Sequence, residues 1–286
     1  MQYIVTGGNG FIGTNLIKRL LNDGHHVISL DDLSTGSVDN ELDGKVDYHY
    51  GDVTAINSLL RLTTQCSGIF HLGAASRVQP SFEDPTTTFL SNVAGTEAVC
   101  EFARQNNIPK VVYAGSSSRW HNPSDSPYAM YKYLGEEVCK LYKQTFGLDV
   151  EIARFYNVYG QGEIVDSKWG SVIGIWRDQL NQGHPITIVG DGEQRRDFTH
   201  VDDIVDGLIR IMTSNVKHED AWELGTGVNY SVNELADIFM DKFTCGKIYI
   251  PEQKGNYRMT LRENLDAVER LGWEPKDRLK QYVNSL

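Results

Sequence analysis

Residues 2–13 read QYIVT followed by GGNGFIG, an apolar β-type run that ends in a glycine cluster and passes at once into helix-forming sequence. A strand delivered through such a turn into a helix does not fold back as a hairpin. It is the first leg of a strand–helix–strand unit and points the chain to a parallel sheet. The turn also has a chemical consequence. Gly7 and Gly10 can take positive φ and let backbone N–H groups approach a pyrophosphate, and Gly13 lets the helix pack closely on the strand. The helix start adds partial positive charge where the phosphate lies.

The first half repeats this rhythm. Residues 26–30, 46–50, 68–72, 110–115 and 149–155 are apolar runs of Val, Ile, Tyr and Phe, as expected of strands covered on both faces. Residues 11–22, 55–65, 86–107 and 127–146 read as helices, with Asn-Asp-Gly and Asn-Asn-Ile-Pro marking ends. This alternation predicts an α/β fold with a doubly wound parallel sheet. After residue 157 the rhythm loosens. Gly and Pro punctuate 160–192, then a helix fits 202–213, a strand 222–225, a helix 231–243 and a strand 247–251. The reading is a dinucleotide-binding domain over 1–157 and a smaller α/β lobe over 158–286, with pieces crossing back.

Composition excludes several classes. The 286 residues carry 27 Lys+Arg against 38 Asp+Glu, a net charge of −11 that opposes general binding to nucleic acid or anionic membrane. No apolar run approaches the roughly 20 residues of a bilayer span. The start, MQYIVTGG, has no basic segment ahead of an apolar one, so export by a signal peptide is not expected. Cys66, Cys100, Cys139 and Cys245 show no metal-type or redox-type spacing and read as buried free thiols of a cytoplasmic protein. The histidines lack paired spacing, so no metal site is expected. His71 and His200 follow apolar segments and read as core hydrogen-bonders.

Asp31 ends the second strand. A carboxylate there accepts hydrogen bonds from adenosine ribose hydroxyls and repels a 2′-phosphate, and no Arg or Lys lies between Asp31 and Lys45 to offset that repulsion. NAD is therefore expected over NADP. In SPYAMYK, Tyr128 and Lys132 are spaced i, i+4 and share one helix face. An ammonium beside a phenol favours phenolate, a general base for a substrate hydroxyl. The fifth strand ends in Ser116-Ser117-Ser118, at the sheet edge where sites of such folds gather.

With TGGNGFIG, Asp31, GDV (51–53), HLGAAS, NVAGT, SPYAMYK, RFYNVYG (154–160), GDGEQRRDFTHVDD (190–203) and LGWEP (271–275), the chain resembles the extended short-chain dehydrogenase/reductase family almost end to end, and within it the nucleotide-sugar epimerases and dehydratases. The resemblance implies a Rossmann-type sheet with a substrate-binding C-terminal lobe. It implies cofactor contacts at Gly7, Gly10, Phe11, Ile12, Asp31, Asp52, Val53, Leu72, Ala74, Ala75 and Asn92. Its catalytic set falls on Ser116, Tyr128 and Lys132, the last two also touching NAD and Ser116 also touching substrate. Asn157 and Arg196 match contacts to a nucleotide sugar's diphosphate, although Arg196 could instead pair with Asp197 or Asp203. The 86–107 and 127–146 helices imply a homodimer.

Three features depart from the family pattern. Arg119-Trp120-His121 replaces the usual Val-Tyr-Gly, so Trp120 and His121 either line the sugar pocket or form a surface turn. The 116–128 stretch is about half the usual length. The late sugar-nucleotide arginine is missing, with Lys254 or Arg258 as stand-ins. The expected activity is NAD-dependent 4-epimerisation of a nucleotide-diphosphate sugar. A 4,6-dehydratase or reductase of the same family, and an inactive NAD-binding sensor, are the alternatives.

Overall fold

The computed structural model describes residues 1–62 and 64–286. Its elements run β1 (Gln2–Thr6), α1 (Phe11–Asn22), β2 (His26–Asp31), β3 (Val46–Tyr50), α2 (Ile56–Leu59), β4 (Gly68–His71), α3 (Val78–Glu83), α4 (Pro85–Phe89), α5 (Gly95–Gln105), β5 (Val111–Ser116), α6 (Pro127–Phe146) and β6 (Val150–Phe155). Beyond these come β7 (Asn157–Tyr159), α7 (Val172–Asn181), β8 (Ile186–Val189), β9 (Arg195–His200), α8 (Val201–Thr213), β10 (Trp222–Leu224), β11 (Asn229–Ser231), α9 (Val232–Lys242), β12 (Lys247–Ile250), α10 (Asp266–Leu271) and α11 (Leu279–Ser285).

The central sheet has seven strands in the order β10-β6-β5-β4-β1-β2-β3, and every pairing in it is parallel. Strand residues alternate between two cores. Ile4, Ile28, Val111 and Ile152 face a layer containing α5 and α6, whereas Tyr3, Val5, Val112 and Ala153 face one containing α1 and α8. Because both faces are covered, the strands are apolar throughout rather than alternating. Chain order reverses between β1 and β4, and at such a switch point the strand ends leave a crevice. A three-stranded sheet, β11-β9-β7, and a two-stranded one, β12-β8, follow, and a third apolar cluster around Trp176, Phe198 and Phe239 joins them to α7, α9 and α11.

Two expected helices differ. The one over 55–65 contracts to α2, behind a 3-10 turn over Val53–Ala55 that Asp52 caps, because Leu60 turns extended. Residue 63, inside that span, lies outside the described residues. The helix over 86–107 is broken. α4 passes through a π turn over Leu90–Ala94 into α5. The wider turn brings Asn92 round to face the loop after β4, and Gly95 permits close packing there, since a Cβ on it would lie 2.4 Å from Val53 Cγ1. Helix α3 adds to the expected elements and contains Pro80. The proline sits in the first turn, where a missing N–H does no harm.

Arg154 on β6 is 1% exposed and is enclosed by acids. Its guanidinium bonds Glu136 of α6 at 2.7 Å, Asp220 at 2.8 Å and Glu223 of β10 at 3.0 Å. Removing one member of a buried ionic group leaves the others without partners. Arg154→Leu is therefore expected to lower unfolding free energy by about 3–5 kcal/mol in urea titrations near neutral pH. The loss should shrink on acidification, as Glu136, whose carboxyl burial pushes up, takes up a proton.

Candidate active site

The glycine turn is built by close approach. Gly7 has φ +71°, and a Cβ there would lie 2.8 Å from the Gly73 nitrogen at the end of β4. On Gly13 it would lie 2.0 Å from the Gly7 carbonyl oxygen. The first is a left-handed position that L side chains avoid, and the second seats α1 on the turn. Asn9, buried between the glycines, ties the turn to β2. Its N–H donates to Asp31 Oδ2 (2.9 Å), and its Oδ1 accepts from Ser29 Oγ (3.2 Å). Asp31 Oδ1 accepts from the Leu33 N–H (2.9 Å). Burial pushes the Asp31 carboxyl up, and these amides pull it back. Each carboxylate oxygen keeps a lone pair for a ribose hydroxyl.

A cavity of about 940 Å³ runs from this turn across the C-terminal ends of the sheet strands to β9 and the 253–257 segment. Gly7, Gly10, Phe11, Ile12, Asp31, Asp52, Val53, Leu72 and Ala74 line it, as do Ser116, Tyr128, Lys132, Asn157 and Arg196. Three expected residues do not. Asn92 is buried behind the wall, where Oδ1 accepts from the Ala75 N–H (2.8 Å) and Nδ2 donates to the Ala75 carbonyl (3.0 Å). It fixes the loop after β4, and Ala75 faces away with it. Arg258, the proposed stand-in for the late arginine, is 65% exposed and forked onto Asp191 at 2.8 and 3.0 Å.

The reactive end is set by helix capping. Ser126 caps α6 by accepting from the Ala129 N–H (3.1 Å), Pro127 begins the first turn, and the Tyr128 N–H donates to Ser81 of α3 (3.1 Å). Tyr128 Oη then donates to Ser116 Oγ at 3.3 Å, and Ser116 Oγ also accepts from the Ser118 N–H (3.1 Å). Of the three serines, Ser116 is the one the phenol meets. Lys132 shares the helix face, but its Nζ donates to the Ala114 carbonyl (2.9 Å) and lies over the Tyr113 ring. Burial pulls its ammonium down to about 8. Burial pushes the Tyr128 phenol up, and the Ser116 hydrogen bond and then the Arg77 charge oppose it. Lys132 is held at the Ala114 carbonyl, and the cation whose charge opposes burial at Tyr128 is Arg77. Its one legible sign was a single cation in the small-residue stretch HLGAAS-R-VQPS.

Arg196 donates to the Arg195 carbonyl (2.8 Å) and to Asn256, and among the described residues it has no carboxylate partner. Asp197 is taken up by the Thr226, Gly227 and Arg262 amides and Asp203 by Arg278, so the ion-pair alternative does not form. Asn157 Nδ2 donates to the Asp197 carbonyl (3.3 Å) and Thr260 Oγ1 (3.2 Å). His71 is a core residue, bonded to Thr6 (2.7 Å) and Thr96 (3.1 Å) and held by burial at about 3.

Ser117 and Ser118 line the cavity, and residues 119–121 are anchored outside it. Arg119 sits 3.6 Å from Glu136, Trp120 donates to Glu223 (3.3 Å), and His121 stacks on Tyr257 at 3.8 Å. Tyr257 itself lines the cavity.

The sequence model of the NAD dependent epimerase/dehydratase family matches residues 3–225. Among curated proteins, the chain is 34% identical to a putative UDP-glucose 4-epimerase of Methanocaldococcus jannaschii, over 99% of this chain and 96% of that one. It is 32% identical to the UDP-glucose 4-epimerase of Mycolicibacterium smegmatis, with the same coverages. Among solved structures, the UDP-glucose 4-epimerase of Thermotoga maritima with UDP-glucose superimposes with a TM-score of 0.89 at 26% identity, covering 99% of this chain and 96% of that one.

The glycine cradle makes a direct prediction. Gly13→Ala forces a backbone shift at Gly7, so the variant is expected to lose about 1–3 kcal/mol of stability. It should also lose the rise in melting temperature that dinucleotide gives the parent. Thermal melts with and without dinucleotide check both.

Proposed function

The chain belongs to the NAD dependent epimerase/dehydratase family, and we propose that it interconverts nucleotide-diphosphate sugars that differ in configuration at C4. The observation that carries this reading is the Tyr128–Ser116 contact on the wall of a cavity that joins a glycine cradle to Arg196. The absence of a carboxylate partner for that pair supports it. The acids lining the cavity are Asp31, Asp32 and Asp52 beside the cradle, and Glu83, which pairs with Lys168 (3.0 Å). A 4,6-dehydratase needs an acid and a base at C5 and C6. Ser117 and Ser118 stand next to Ser116, and a hydroxyl cannot serve as either near neutral pH.

The cradle fits NAD. Gly7 and Gly13 leave room for a pyrophosphate against backbone, and Asp31 offers lone pairs to the ribose hydroxyls with no cation between it and Lys45 to neutralise a 2′-phosphate. When bound, NAD supplies the acceptor and the donor of the C4 hydride. Tyr128 Oη, as phenolate, takes the proton of the sugar 4-hydroxyl and returns it to the epimeric oxygen. Ser116 Oγ, already aligned with Tyr128, hydrogen-bonds that oxygen while its charge changes. Lys132, on the same helix face as Tyr128, would hold the nicotinamide ribose. Arg196 and Asn157 grip the diphosphate while the keto sugar rotates; a planar guanidinium suits this because it can donate two parallel bonds to phosphate oxygens.

On this reading residues 1–157 form the NAD-binding domain, residues 158–286 the smaller sugar-nucleotide lobe, and β10 crosses back to the first. We take the active species to be a homodimer. Phe89, Leu90 and Leu141, on α4, the π turn and α6, are each at least 40% exposed, an apolar face suited to a second copy. Sedimentation equilibrium that finds only monomer at micromolar concentration would remove this part. Four unpaired thiols fit a reducing cytoplasm.

Tyr128→Phe is expected to lower turnover by about 10²–10⁴-fold while NAD still binds. NMR of UDP-sugars incubated with the parent protein in deuterated water should show a 4-epimer of unchanged mass with no deuterium at C4. A product lighter by one water would instead assign the chain to the dehydratases.

A further inference from the structure

Two guanidiniums line the cavity without a carboxylate partner among the described residues, and the diphosphate grip assigned above uses only Arg196. The second is Arg77, on the loop between β4 and α3. Its Nε donates to the Trp169 carbonyl at 2.7 Å and one Nη to the Ser76 carbonyl at 3.4 Å, both neutral acceptors. Glu163, whose charge reaches Arg77, gives Oε1 to Arg177 (3.1 Å) and Tyr282 (2.7 Å), and its Oε2, which has no hydrogen-bond partner among the described residues, makes no ion pair with Arg77.

The two cations act on different groups. The charge of Arg196 falls on His121 and that of Arg77 on Tyr128. Arg77 stands at the start of α3, whose Ser81 accepts from the Tyr128 N–H (3.1 Å), so the turn that carries Arg77 packs against the residue that works on C4. In a hexopyranose, the substituent at C6 hangs from C5, the ring neighbour of C4. Two hydroxyls that line the cavity also lack partners among the described residues: Ser118 Oγ, in a residue 4% exposed, and Tyr257 Oη. Each can donate one hydrogen bond, and a buried hydroxyl without a partner is costly.

We infer that Arg77 selects nucleotide sugars whose hexose carries a carboxylate at C6, pairing with that carboxylate beside Tyr128. A carboxylate presents two oxygens and about four lone-pair sites, enough for a guanidinium and the free hydroxyls together. A neutral hydroxymethyl group leaves the Arg77 charge desolvated and unpaired. This inference rests on the epimerase reading and goes beyond it by naming the sugar class.

The test compares UDP-glucuronate with UDP-glucose, which differ only at C6. Binding to the NAD-loaded protein is measured by calorimetry and epimerisation by NMR. The parent should favour the acid. Arg77→Gln should cut kcat/KM and affinity for UDP-glucuronate by about 10–150-fold more than for UDP-glucose, the scale of a charge-assisted hydrogen bond. Arg77→Lys should restore part of the preference. Arg196→Ala should weaken both sugars alike, because both carry the diphosphate. A parent that binds and turns over UDP-glucose at least as well as UDP-glucuronate overturns the inference and leaves the epimerase reading standing. An Arg77→Gln protein that releases NAD and keeps the parent's sugar preference also overturns it, by moving Arg77 to the cofactor. If Arg77→Gln does not fold, the parent's binding preference alone decides. Preferential binding of UDP-glucuronate with no turnover of either sugar supports the selectivity and defeats the epimerase reading.

Discussion

The buried ionic cluster around Arg154 is the fixed point from which the reactive end of the molecule is laid out. It binds β6 to the neighbouring edge strand, β10, through Glu223 and to α6 through Glu136. Gly115, one residue before Ser116, makes room for it, since a Cβ there would lie 2.9 Å from Glu136 Oε1. Lys132 lies one helical turn before Glu136 and Tyr128 one turn before that. The cluster thus fixes how far α6 slides along β5, and with it whether Tyr128 meets Ser116. A buried ionic group adds little net stability over a well-packed apolar one, but its geometry tolerates few alternative alignments. Here that registry is what the site needs.

The same cluster accounts for the short stretch between Ser116 and Tyr128. A trimmed loop beside a binding cavity would ordinarily be loose. This one is held by the side chains that depart from the family pattern. Arg119 reaches Glu136 and packs on the Tyr133 ring, Trp120 lies under Arg154 with its N–H on Glu223, and His121 stacks on Tyr257. The departure and the shortening are two parts of one solution. Side chains that do not face the sugar anchor the segment to a structure already rigid, and Tyr257, braced from behind, supplies the cavity wall.

The charge of the site runs against that of the chain. With 38 acidic and 27 basic residues, the protein as a whole repels anions. Inside the cavity three of the four lining acids, Asp31, Asp32 and Asp52, stand beside the glycine cradle and the fourth, Glu83, pairs with Lys168, while Lys132, Arg77 and Arg196 are bonded to carbonyls and an amide rather than to carboxylates. Carbonyl partners orient a cation without neutralising it, and partial burial strengthens its field. An anionic ligand can then bind without first breaking an ion pair.

What the sequence determined was whatever depends on neighbours along the chain. The glycine turn, the strand–helix alternation, Asp31 closing β2 and the i, i+4 pairing of Tyr128 with Lys132 are local geometry, and all were legible before any coordinates. Local pattern also misled. The 86–107 segment reads as one helix, because nothing nearby in sequence reveals that Asn92 must turn to hold Ala75. Arg258 looked available because Asp191, 67 residues away, gives no sign in the sequence that it will capture it. The short strands of the second half gain their stability from partners far along the chain, so their own residues carry little signal. Tertiary structure alone decided that Ser116 meets Tyr128, that Arg154 gathers residues 136, 220 and 223, and that Arg77 lines the same cavity as Tyr128 while Lys132 turns to a carbonyl. Each is a meeting of side chains from separate elements, fixed by how helices pack on a sheet, and a charge acts through the space that packing creates.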